Sequence, residues 1–164
     1  MQVFALTGGI ATGKSTAGKM ISRLMPTSAF FDCDESVQSL LQKREVLDEI
    51  SEALGQSVTK TDGSLDRAAL RKLVFGNDIL RGKLEIILHP KVRKECLEKL
   101  DFYSNTTPTT LFVADVPLLF ESGFDFGQEL NLVVATSQAT QRIRLKARNH
   151  FEDRMISSIL KAQL

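Results

Sequence analysis

Short apolar runs in this chain alternate with longer stretches where apolar residues recur every three or four positions. Residues 2–6, "QVFAL", form such a run and end against glycines, the pattern of a strand buried on both faces. The following "KSTAGKMISRLM" sets Ala17, Met20, Ile21 and Leu24 at helical spacing, and Pro26 forbids continuation. "SAFFDCDE" reads as a second short strand ending in acids. Residues 35–54 carry helical spacing, with Val37, Leu40 and Leu41 on one face and Val46, Leu47 and Ile50 on the next. "KTDGS" is a turn by its Asp-Gly pair. Ser64 is placed to cap a helix through "LDRAALRKLVF", and Asn77 or Asp78 to cap another through "ILRGKLEIIL". Pro90 predicts a junction with a further helix, "KVRKECLEKL", and "SNTTPTT" reads as a polar loop. "TLFVADV" and "LNLVVAT" are a third and fourth strand, and "SQATQRIRLKAR" and "DRMISSILKAQL" two closing helices.

Strands separated by helical stretches need crossover connections, so the pattern predicts an α/β fold with a parallel sheet wrapped by helices. The helical stretch between the second and third strands is longer than a crossover requires. It is expected to form an insertion over the carboxyl ends of the strands, where open α/β sheets bind ligands. The expected division is a core of residues 1–34 and 108–138, a helical acceptor-binding subdomain of 35–107, and a helical lid of 139–164.

The glycines behind the first strand carry the first chemistry. Gly8, Gly13, Lys14 and Ser15 complete G-x-x-x-x-G-K-[ST], the phosphate-binding P-loop, between a strand and a helix. Gly8, Gly9, Ile10, Ala11, Thr12, Gly13, Lys14, Ser15 and Thr16 form the expected anion cradle. Its backbone amides curl round phosphate oxygens, and the helix contributes its unsatisfied N–H groups and positive dipole end. Lys14 is suited to the β- and γ-phosphates, and the Ser15 hydroxyl to Mg²⁺. The motif makes this a nucleotide-phosphate site without separating GTPases, motor ATPases and small-molecule kinases.

Asp32 and Asp34, in "FFDCDES", narrow that choice. In a doubly wound sheet the end of the second strand lies beside the P-loop. One carboxylate there suits an acceptor hydroxyl and the other Mg²⁺ through water. For Asp34 a helix cap is an equal reading. Asp115 ends the third strand as either a magnesium-linked acid or a strand-terminal cap.

Bulk composition adds exclusions. A length of 164 residues, 43% hydrophobic and 25% charged, is that of one ordinary globular domain. A formal net charge of +1 gives no field to steer nucleic acid or an anionic membrane. No apolar run reaches the ~20 residues of a membrane span. The start has no basic stretch or small-residue cleavage site of a secretory signal, and Cys33 and Cys96 form no CxxC pair. The expectation is a cytoplasmic protein.

In order and spacing, "ALTGGIATGKST", "FFDCDESVQSLL", "LDRAALRKLVF", "LEIILHPKVRKE" and "VADVPLLFESG" resemble the dephospho-CoA kinase family, through about Arg148. The resemblance implies transfer of phosphate from ATP with Mg²⁺ to the ribose 3′-hydroxyl of dephospho-coenzyme A, the last step of coenzyme A synthesis. It implies that Asp32 activates the 3′-hydroxyl with Asp34 as second acid, and that His89, Pro90 and Arg93 belong to the acceptor region. His89 is otherwise a structural histidine on an amphipathic helix. Leu118, Leu119 and Phe120 are either an apolar acceptor wall or core, and Glu121 an acceptor contact or a solvated acid. Ser15 and Asp115 are the expected metal residues. The family's lid arginines correspond to Arg144 and Arg148, one helical turn apart, whereas Arg142 points elsewhere; a solvated basic face is the alternative.

The chain departs from the family at Ala11, where glycine is usual, at Thr12, where serine is usual, and at Ile159, where the lid has arginine. The family pattern also runs on into another strand and a final helix, which this sequence lacks. Two other functions stay open at this level: a kinase for another small molecule such as a nucleoside, and a catalytically weak nucleotide-binding protein.

Overall fold

The computed structural model describes residues 1–117, 119–149 and 153–161, the side chains of 148, 149, 153, 154, 159 and 161 excepted. Four strands, β1 (Gln2–Thr7), β2 (Ser28–Asp32), β3 (Leu111–Asp115) and β4 (Leu130–Val133), form a parallel sheet in the order β2-β3-β1-β4. The expected α/β class and parallel sheet are therefore present. Eight helices are described: α1 (Lys14–Leu24), α2 (Cys33–Leu40), α3 (Arg44–Leu54), α4 (Arg67–Val74), α5 (Asp78–Thr106), α6 (Leu119–Ser122), α7 (Gln138–Asn149) and α8 (Asp153–Lys161). The chain divides into two compact units, Met1–Asp32 with Glu98–Leu164, and Cys33–Leu97.

In the first unit the apolar runs take the central positions. Leu111, Phe112, Val113 and Ala114 of β3 are all at most 2% exposed, and Ala5 and Leu6 of β1 lie beside them. Leu6, Leu111 and Val113 pack with Phe4, Ala17, Ile21, Phe30 and Val134 into one apolar cluster. The outer strand is less covered: Leu130, Leu132 and Val133 of β4 are exposed. So are Met20 and Leu24 of α1. The reason lies at Gly18, whose Cα faces Leu6 and Phe30. The packed stripe is thus Ala17, Gly18 and Ile21, about a sixth of a turn round from the one the spacing suggests.

The second unit buries Leu40, Leu41, Val46, Leu47, Ile50 and Leu54, so both expected faces of residues 35–54 are core. They belong to two helices, because Gln42 and Lys43 donate to Ser39 and Leu40 in tight turns that end α2. The helix after the Asp-Gly turn is capped by Asp66, which accepts from the Ala68 and Ala69 amides, and not by Ser64. Ser64 is already committed: its amide and hydroxyl both donate to Asp62 and hold that carboxyl below the usual range. Asp66→Ala is expected to lower stability by about 1 kcal/mol, read as a lower thermal midpoint.

Two boundaries move. Pro90 lies inside α5, which runs unbroken for 29 residues, so the expected junction is absent. The helix continues through Thr106 into the expected loop, where the side chains of Ser104, Asn105 and Thr106 each donate to the carbonyl four residues earlier. Asn77 accepts from the Leu80 amide, the cap expected for this helix.

Candidate active site

Between β1 and α1 the chain makes a tight curve whose shape two glycines dictate. At Gly8, φ is 154° and a Cβ would lie 2.3 Å from the Val134 carbonyl oxygen. That oxygen is fixed in place because the Val134 amide donates to Thr7 where β4 meets β1. Gly13 sits at φ 109°, ψ 19° as the residue before α1, a conformation that L side chains rarely adopt. Its carbonyl accepts from the Thr16 and Ala17 amides, which leaves Lys14 and Ser15 as first-turn amides without an intrahelical acceptor. Between the glycines, Thr12 donates through its hydroxyl to Gly9, and Ala11 adopts a left-handed φ of 58°. Aligned amides at a helix start make an anion site.

The acids stand at the carboxyl ends of β2 and β3; β3 lies between β1 and β2, so the end of the second strand is one strand further from the P-loop than expected. The β2–β3 ladder sets Asp32 opposite Asp115, and the β1–β3 ladder sets Asp115 opposite Leu6. Lys14 projects from the first position of α1 and its ammonium pairs with Asp115, both partly buried. Ser15, Asp32 and Asp115 line a single cavity of about 340 Å³, with Leu6, Phe30 and Phe31 as its apolar wall. Lys19 and Ser22, one and two turns along α1, line it too. Hydroxyl and carboxylate oxygens with no sulfur or imidazole are a hard donor set. It suits Mg²⁺, which takes one or two protein oxygens and completes its shell with phosphate and water.

Helix α7 reaches the same loop from the end of β4. The Arg144 guanidinium donates through Nη1 to the Ala11 and Thr12 carbonyls at 2.9 and 2.8 Å. Gln141, 9% exposed, donates through Nε2 to the Ile10 carbonyl at 2.9 Å. Arg142 turns away and donates to Ser157 of α8. Gln141, Lys19 and Ser22 escaped the sequence analysis. The one signal for Gln141 was its place a turn before Arg144 on the helix that follows the fourth strand.

The other expected site residues distribute as follows. Asp34 lies in the exposed first turn of α2, which starts at Cys33, so it does not precede the helix as a cap. His89 is half-buried, and Pro90 and Arg93 are exposed, all on α5 in the second unit. Leu119 is core at 4% exposure, whereas Phe120 at 57% and Glu121 are exposed on α6. Leu118 and the side chains of Arg148 and Ile159 lie outside the described residues.

Comparison with known proteins assigns the whole chain. The family model described as "Dephospho-CoA kinase" matches residues 2–164. The chain is 38% identical to a dephospho-CoA kinase of Symbiobacterium thermophilum, over 100% of this chain and 68% of that one. It is 34% identical to a dephospho-CoA kinase of Oceanobacillus iheyensis, over 99% and 80% respectively. Among solved structures, TT1252 from Thermus thermophilus superposes with a TM-score of 0.81 at 28% identity, covering 99% of this chain and 80% of that one. A dephospho-CoA kinase from Campylobacter jejuni superposes at 0.66 and 25% identity, covering 99% and 81%. With its P-loop, strand-end acids and sheet in the arrangement above, this chain belongs to the dephospho-CoA kinase family.

Proposed function

We propose that this chain transfers the terminal phosphoryl group of ATP to the ribose 3′-hydroxyl of dephospho-coenzyme A in the cytoplasm. The observation that carries the reading is the shared cavity. One volume joins the start of α1, where phosphate oxygens would be held, to the two acids at the ends of β2 and β3.

The division of labour follows from side-chain chemistry. Residues 8–16 hold the phosphates by backbone amides, and Lys14 adds a charge at the β- and γ-oxygens. Asp32 accepts a hydrogen bond from the 3′-hydroxyl, aims its oxygen at phosphorus, and takes the proton as the new O–P bond forms and the bond from the γ-phosphorus to the bridging oxygen breaks, with ADP as leaving group. Ser15 and Asp115 would hold Mg²⁺, which when bound neutralises charge on the phosphates. Arg144 and Arg148 serve the phosphate side; fixed charge and forked donors suit arginine to it. Asp34, His89, Pro90, Arg93, Leu118, Phe120 and Glu121 are assigned to the acceptor on the family pattern. Closure of the lid helices would exclude water, which otherwise competes for the phosphoryl group.

Two measurements test the reading. ADP release, followed by a coupled assay, is expected only when dephospho-coenzyme A is present with ATP. Faster turnover of any nucleoside acceptor would reject it in favour of a nucleoside kinase, and bound ATP without turnover would leave a binding protein. Lys14→Met is expected to lower kcat/KM for ATP by about 10²–10³, as loss of one preorganised donor at the transferring group does.

A further inference from the structure

The loop of residues 8–13 has two sides, and only one of them faces phosphate in the reading above. Four successive carbonyls of the loop are engaged. Gly9 accepts from Thr12, Ile10 from Gln141, and Ala11 and Thr12 from Arg144. A peptide unit points its N–H and C=O in opposite directions, so holding the Ile10 and Thr12 carbonyls toward α7 turns the Ala11 and Gly13 amides the other way, while the Thr12 amide closes on the Gly9 carbonyl at 3.4 Å. The need for outside support is greatest at Ala11, whose φ of 58° is one that an alanine seldom keeps unaided. Its neighbours on both sides are held from α7. Gln141 is the buried member of that pair of donors, and nothing in the phosphoryl-transfer chemistry calls for it.

We propose that Gln141 is a positioning residue for nucleotide binding. From α7 it holds the Ile10 carbonyl, and with Arg144 it keeps the loop in its phosphate-accepting curve despite alanine at position 11. The inference rests on the reading of this loop as the ATP phosphate site. It also gives Arg144 a second task besides its charge, since its Nη1 donates to the backbone of the loop.

The test compares ATP affinity across the parent chain, Gln141→Met, Gln141→Glu and the double variant Gln141→Met with Ala11→Gly. Methionine keeps length and volume but donates nothing, so ATP is expected to bind about tenfold more weakly, with KM for the acceptor unchanged. Glutamate faces a carbonyl oxygen and donates only when protonated. Its affinity, normalised to the parent at each pH, is expected to be low near pH 8 and to recover as pH falls toward 5.5. Glycine holds a positive φ without support, so Ala11→Gly is expected to restore most of the loss in Gln141→Met. The inference is overturned if Gln141→Met binds ATP within twofold of the parent. A Gln141→Glu affinity that ignores pH overturns it too, and decides the matter should the methionine variant not fold. A parent chain that binds no ATP overturns the function reading and this inference together, whereas failure of the variants alone overturns only this one.

Discussion

Asp32→Asn is expected to lower kcat by about 10²–10⁴ while ATP affinity stays within about twofold. Asparagine has the shape of aspartate and keeps the β2 backbone in register with β3, so what changes is the charge and the capacity to take a proton. Asp32 is exposed at the tip of its strand, where substitutions shift stability by about 0.5 kcal/mol or less. A fall in turnover is therefore separable from unfolding by measuring the thermal midpoint on the same sample. Single-turnover kinetics with ATP and dephospho-coenzyme A read the chemical step directly. A variant that turns over within threefold of the parent removes Asp32 from the chemistry and leaves Asp34 as the acid to examine.

The second large effect is at Gly8. Gly8→Ala places a methyl group 2.3 Å from the Val134 carbonyl oxygen and 3.0 Å from the Thr12 hydroxyl, at a φ of 154°. The first contact is with backbone locked to β1, so it is not relieved by a rotamer change; either β4 or the loop must move. We expect a loss of about 2–4 kcal/mol in urea unfolding and ATP binding reduced more than about 100-fold. Gly18→Ala is the internal comparison: its Cβ would meet Leu6 at 3.5 Å and Phe30 at 3.8 Å, ordinary contact within a helix. That variant is expected to be neutral or slightly stabilising, because alanine is the better helix former. If Gly8→Ala behaves as Gly18→Ala does, the described approach of β4 to the loop is wrong.

What the sequence revealed and what it hid divide along the range of the interactions. The P-loop was legible because its strand, glycines and helix start are consecutive, and the motif states their order. Asp32 and Asp115 were each legible as strand ends; that they stand opposite one another needed the sheet order β2-β3-β1-β4. The Gln141–Ile10 contact joins residues 131 positions apart, and its acceptor is a main-chain carbonyl, which carries no side-chain signature. Errors at element ends coincide with local side-chain hydrogen bonds. Ser64 was taken by Asp62, and the polar run after Tyr103 bonded back onto its own helix. Met20 shows a different failure. Helical spacing fixed that α1 has an apolar stripe, but a glycine without hydropathy of its own set which way the stripe faces.

The alignment of Asp32 with Asp115 has a consequence for how this architecture tolerates change. Side chains alternate along a strand, so deleting one residue from β2 would move the carboxylate to the opposite face and bring Cys33 to the tip in its place. Insertions between the two strands carry no such penalty, because nothing in the ladder counts them. Drift among descendants of this chain is thus free to accumulate in the helical stretch after β2, while the five-residue lengths of β2 and β3 act as a ruler that selection cannot let slip.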